Sequence, residues 1–119
     1  MPFCAPQLVY SKSWNQSSGV GSSTIFTPSS DGMFSMNAYL GSGEANINAY
    51  VILKISWTDP FVGSQAIEAD LNSFSVPGAF STVTAVRSFK GGTPVTLEIN
   101  YASGLTMSYE AFASIEQLA

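Results

Sequence analysis

The tightest constraint on what this chain can fold into is a period of two. In Met33–Leu40, Phe34, Met36, Ala38 and Leu40 share one parity, while Met33, Ser35, Asn37 and Tyr39 share the other. Successive strand side chains point to opposite faces, so such a run is a strand with one buried and one solvated side. The pattern recurs after each Gly, Pro, Asn or Asp break. Predicted strands are Gln7–Tyr10, Thr24–Thr27, Met33–Leu40, Asn48–Asp59, Ser64–Asn72, Phe80–Phe89, Val95–Tyr101 and Leu105–Glu116. In the last, Met107, Tyr109, Ala111, Ala113 and Ile115 alternate with Ser108, Glu110, Phe112, Ser114 and Glu116. About eight short strands without a helical window predict an all-β fold, an antiparallel two-sheet sandwich. Periodicity does not separate an immunoglobulin-type sandwich from a jelly roll. The long aromatic final strand favours the jelly roll.

A chain of 119 residues with 45% hydrophobic content can bury a core of its own as one domain. Residues 11–23 are polar and glycine-rich around a single Trp. They read as a flexible connection, dividing the chain into a strand and arm over 1–23 and a sandwich over 24–119. The Asn15-Gln16-Ser17 triplet in this stretch matches a glycosylation acceptor by chance, there being no secretion signal.

Charge is scarce. Asp, Glu, Lys and Arg make up 10% of the chain, against an ordinary share of about 25%. Ser, Thr, Asn and aromatic residues must therefore cover much of the surface, and a permanent oligomer would sequester part of it. Asn48–Asp59 sharpens this expectation. Val51, Leu53, Ile55 and Trp57 lie on one parity, yet Tyr50 and Ile52 put bulky apolar groups on the other. Five residues emerge as interface candidates: Trp14, Tyr39, Tyr50, Ile52 and Phe112. The partners expected are further copies of the chain.

Several function classes lose their chemistry at the level of residue type. There is no His and one Cys, Cys4, which removes His-assisted nucleophiles and a zinc ligand set. No catalytic residue, cofactor or metal is expected. Glu68 and Asp70 share a strand face, but a solvated face explains them without the cleft a glycosidase needs. Asp31 and Asp59 do not form the close-spaced oxygen set of a calcium loop. Lys90-Gly91-Gly92 lacks the spacing and following helix of a phosphate loop. Four scattered basic residues against eight acids leave no footprint for nucleic acid, and no window of about 18 apolar residues predicts a membrane span or signal peptide. Synthesis in the cytoplasm fits the lone thiol.

Three segments carry a resemblance. Phe26-Thr27-Pro28 through Gly32-Met33-Phe34 is similar to an FTP-x-x-x-G-hydrophobic-aromatic segment of small β-sandwich proteins encoded among bacteriophage structural genes. Ile55-Ser56-Trp57-Thr58-Asp59 and Tyr109-Glu110-Ala111-Phe112-Ala113-Ser114-Ile115-Glu116 resemble that group's other two motifs, in the same order. The likeness spans about residues 24–118. Gly32–Leu40 and the aromatic last strand also look like trimeric jelly rolls of the tumour-necrosis-factor and complement-globular type. The resemblance implies a non-enzymatic virion component in the capsid surface, head-to-tail or tail apparatus. It would be a symmetric oligomer touching major capsid or tail proteins; a homotrimer is expected, and residues 1–23, which do not match the family's pattern, are expected to fasten it to the particle. The alternative is a carbohydrate-binding module or adhesin tip, whose exposed aromatics would stack on a glycan.

Overall fold

The computed structural model describes residues 6–43, 46–74, 78–102 and 107–119. Among these residues there are eight strands: β1 Gln7–Gln16, β2 Val20–Phe26, β3 Gly32–Ser42, β4 Asn46–Asp59, β5 Gly63–Phe74, β6 Ala79–Phe89, β7 Val95–Ala102 and β8 Tyr109–Gln117. They form two antiparallel sheets, the first in the order β1-β8-β3-β6 and the second β2-β7-β4-β5. The primary pairings are thus 1 with 8, 2 with 7, 3 with 6 and 4 with 5. That is one long hairpin folded over on itself, and β3–β8 and β4–β7 pairing then closes each sheet. The connectivity is a jelly roll, which decides between the two sandwiches that periodicity left open.

The alternation works as read. Phe34, Met36, Ala38 and Leu40 of β3 meet Val51, Leu53, Ile55 and Trp57 of β4 across a core whose members are all at most 9% exposed. At one end the two sheets are joined by aromatic rings. Phe26 and Trp57 belong to the second sheet, Phe34 and Phe89 to the first. Ring centroids lie 5.5 Å apart for Phe26–Phe34, 4.6 Å for Phe34–Phe89 and 5.7 Å for Trp57–Phe89.

The same end is tied by backbone bonds. The Gly92 N–H donates to the Pro28 carbonyl at 2.7 Å, the Lys90 N–H to Thr58 at 2.8 Å and the Met33 N–H to Ala119 at 2.9 Å.

Residues 11–23, expected to be a flexible connection, are mostly strand. β1 runs to Gln16 against β8, and β2 begins at Val20 against β7. Their polar composition has a different cause: both are edge strands, solvated on more than one side, so they need few apolar residues. The short crossing between the sheets is pinned where Tyr109 Oη donates to the Ser18 carbonyl at 2.7 Å and Gln16 Nε2 donates to the same oxygen at 2.9 Å. The chain over 7–23 therefore belongs to the sandwich and is not free to act as an arm. Cys4 lies outside the described residues.

Candidate assembly surface

The two outer faces of the sandwich differ in how many charged groups they carry. On the second sheet, register places Lys54 between Glu68 of β5 and Glu98 of β7, with Ile52 between Asp70 and Asn100. This is a solvated face with opposite charges directly across from one another. A shallow depression of about 370 Å³ on it is lined by Lys54, Ser56, Thr58 and Thr96, and includes neither Glu68 nor Asp70.

The outer face of the first sheet carries none of the four basic residues. Lys12 and Arg87 lie on its edge strands in register with the inward residues Ala113 and Phe34. The Lys12 ammonium sits 5.5 Å from the centre of the Trp14 ring, and Arg87 Nη1 donates to the Val86 carbonyl at 2.9 Å. The only acids on the described part of this face, Glu110 and Glu116, are on β8.

Apart from these two glutamates the surface is aromatic, aliphatic or neutral polar. Tyr39 of β3 is the direct cross-strand partner of Phe112 of β8, and the two are 36% and 40% exposed. Phe80 of the β6 edge stacks beside Tyr39 at 6.5 Å, with planes 18° apart. Tyr39 lies over Gly41 so closely that any Cβ there would collide with its ring and hydroxyl, so glycine makes the seat for the tyrosine. Further along, Thr84 Oγ1 donates to Asn37 Oδ1 at 3.1 Å. A groove of about 540 Å³ opens beside the aromatic pair, lined by Ser13, Trp14, Asn15, Tyr39, Glu110 and Phe112.

The five candidates therefore separate. Tyr39 and Phe112 meet on the face that carries no basic residue. Trp14 faces the core at 9% exposure and contributes to the groove from beneath. Tyr50, 40% exposed, and half-buried Ile52 lie on the opposite, charged face. A single flat contact cannot include both sets. Sequence reasoning missed Phe80, Phe61 and Val62, which are 67%, 89% and 68% exposed. The signal for the last two was present: they are large apolar residues inside a turn bounded by Pro60 and Gly63.

The remaining sequence candidates serve the loops. Asp31 Oδ1 accepts from the Gly91 N–H at 2.8 Å, and Asp59 Oδ1 accepts from the N–H groups of Phe61 and Val62 at 2.7 and 3.1 Å. Lys90-Gly91-Gly92 is a turn packed on the β2–β3 loop. Among the described residues no three His, Cys, Asp or Glu side chains gather as a metal site, and no helix is long and apolar enough to cross a membrane.

The chain matches no protein-family model and no curated protein. Among solved structures it is similar to the Eiger TNF from S. frugiperda, at 9% identity and a TM-score of 0.51, covering 95% of this chain and 94% of that one. A second similarity, to the infectious bursal disease virus VP2 subviral particle, has 15% identity and a TM-score of 0.22, covering 96% of this chain and 42% of that one. The first of these agrees with the jelly-roll connectivity and bears on the fold alone.

Proposed function

We propose that this protein is a non-enzymatic structural component of a bacteriophage particle. It is made in the host cytoplasm and assembles as a homotrimer through the outer face of its first sheet, contacting other virion proteins such as capsid or tail proteins. The observation that carries the self-association is the asymmetry of charge. With so few charges in the chain, Lys54, Glu68, Asp70 and Glu98 are spent on one outer face, while the other keeps two glutamates and the Tyr39–Phe112–Phe80 aromatic group. Depletion of charge with enrichment in aromatics is the composition of an interface core. Three copies, and the virion itself, are what the sequence resemblances imply.

Sedimentation of the full chain tests the assembly. The wild type should form trimers at micromolar concentration. Tyr39→Lys and Phe112→Lys, which place a cation in that surface, should be monomers with an unchanged β-sheet circular dichroism spectrum. Tyr50→Lys, on the charged face, should remain trimeric. A monomeric wild type sinks the oligomer, and mass spectrometry of purified particles that lack the chain sinks the virion role.

The groove favours one second reading, glycan binding, because it combines exposed rings with Asn15 and Glu110 as polar partners. Glycan-array binding that is lost in Tyr39→Ala would support it.

A further inference from the structure

Two of the chain's four cations stand where a strand ordinarily buries an apolar side chain. On β1, Tyr10, Lys12, Trp14 and Gln16 have the inward parity, opposite Ile115, Ala113, Ala111 and Tyr109 of β8. On β6, Val83, Ala85, Arg87 and Phe89 have it against Ala38, Met36, Phe34 and Gly32 of β3. Lys12 and Arg87 are the exposed members of these two sets, whereas the others are buried or half-buried. A long charged side chain at such a position reaches water by running sideways around the rim of the sheet. Both heads are held against their own strand. The Lys12 ammonium lies 5.5 Å from the centre of the Trp14 ring, and Arg87 Nη1 donates to the Val86 carbonyl at 2.9 Å.

β1 and β6 are the two edges of the first sheet. β6 pairs with β3 without a shift along its 11 residues, and β1 is regular against β8 from Tyr10 to Gln16. The edges of the second sheet are protected differently. β2 shifts register twice against β7, and on β5 the Asp70 N–H donates to Ser81 Oγ of β6 at 3.1 Å. Neighbouring strands of the first sheet all run antiparallel, so β6 runs opposite to β1. A second copy set beside β6 in the same orientation would continue the ladder with its own β1. Each copy carries both edges, so the contact is heterologous and does not close, and its product is a filament. The strand these edges invite is therefore one from a further copy of the chain. In that contact Lys12 and Arg87 would be enclosed between the extended sheets, with no acid on either strand to meet them. We propose that Lys12 and Arg87 keep the edges of the first sheet closed to strand addition by further copies. The inference goes beyond the trimer and does not depend on it.

Full-length Lys12→Thr with Arg87→Thr tests this, since threonine suits a strand and removes the charge. The net charge goes from −4 to −6, two cations fewer, which by itself opposes association. The variant should nevertheless form filaments in electron micrographs, at an onset concentration about tenfold or more below that of the wild type. Below that concentration its circular dichroism spectrum and urea midpoint should match those of the wild type. Lys54→Thr with Lys90→Thr makes the same change in net charge away from these edges and should sediment as the wild type does. Lys12→Glu with Arg87→Glu restores a charge at each edge and should do likewise. A Lys12→Thr, Arg87→Thr variant that sediments as the wild type overturns the inference. Equal association of the Lys54 and Lys90 variant, or filaments from the glutamate variant, would overturn it too.

Discussion

Phe89 is fully buried and makes ring contacts on both sides, to Phe34 of its own sheet at 4.6 Å and to Trp57 of the other at 5.7 Å. Phe89→Leu keeps the site apolar but removes both aromatic contacts. The change of shape costs up to about 1.5 kcal/mol, and each lost ring contact adds about 0.5–1.5 kcal/mol. A total near 2–3 kcal/mol follows. For 119 residues the unfolding entropy is about 0.25 kcal/mol per kelvin, so the melting temperature should fall by about 8–12 °C. Urea unfolding should show a lower midpoint with an unchanged m-value, because the surface exposed on unfolding is the same. Phe34→Leu should behave alike. The double variant should fall short of the sum by about 0.5–1.5 kcal/mol, the coupling of the stacked pair. Strict additivity, or a cost for Phe89→Leu below about 0.5 kcal/mol, would refute the claim that this ring stack joins the sheets. Measurements belong at concentrations where the chain is monomeric, since the proposed assembly would add its own stabilisation.

Two further outcomes concern single positions. Burial holds the Tyr109 hydroxyl above its ordinary pKa, opposed by its hydrogen bond with Gln16 and reinforced by nearby Tyr101; the folded state therefore keeps a proton that the unfolded chain releases near pH 10. Stability should be flat in this respect below about pH 10 and fall above it by at most about 1.4 kcal/mol per pH unit. Tyr109→Phe should flatten that decline while costing about 1 kcal/mol at neutral pH for the lost bond to Ser18, both read by urea titration across pH. Gly63→Ala forces a side chain into φ +86° and should lower stability by about 1–2 kcal/mol, read the same way.

Much of the fold was legible because burial follows parity. The inward sets on β3, β4, β7 and β8 could be read from alternation alone, since a slip of one residue would turn each of them out into water. The edge strands were not legible in this way. β1 and β2 pack one flank and solvate the other, and β2 shifts register twice against β7, between Val20 and Ser23 and between Thr24 and Phe26. Each bulge breaks the period of two. Polar Ser and Gly there look like linker chemistry, although Trp14 is buried in the core and Ser18 is fixed by Tyr109.

The site was half legible for a related reason. Parity separates inside from outside but does not assign an outward residue to one outer face or the other. Tyr39, Tyr50 and Phe112 are all outward aromatics of similar exposure, and along the chain they are equivalent. Only the pairing of β3 with β8 and of β4 with β7 makes Tyr39 and Phe112 neighbours and sends Tyr50 to the far side. Those pairings join residues far apart in sequence, so no local pattern encodes them. Charge can be read locally once the topology is known. Lys54, Glu68 and Glu98 then fall into one cross-strand row, and the acids and lysine that looked scattered along the chain become the solvated face of a two-faced molecule. The same topology leaves Tyr39, Phe112 and Phe80 together on a surface without a cation, the face that the proposed assembly would cover.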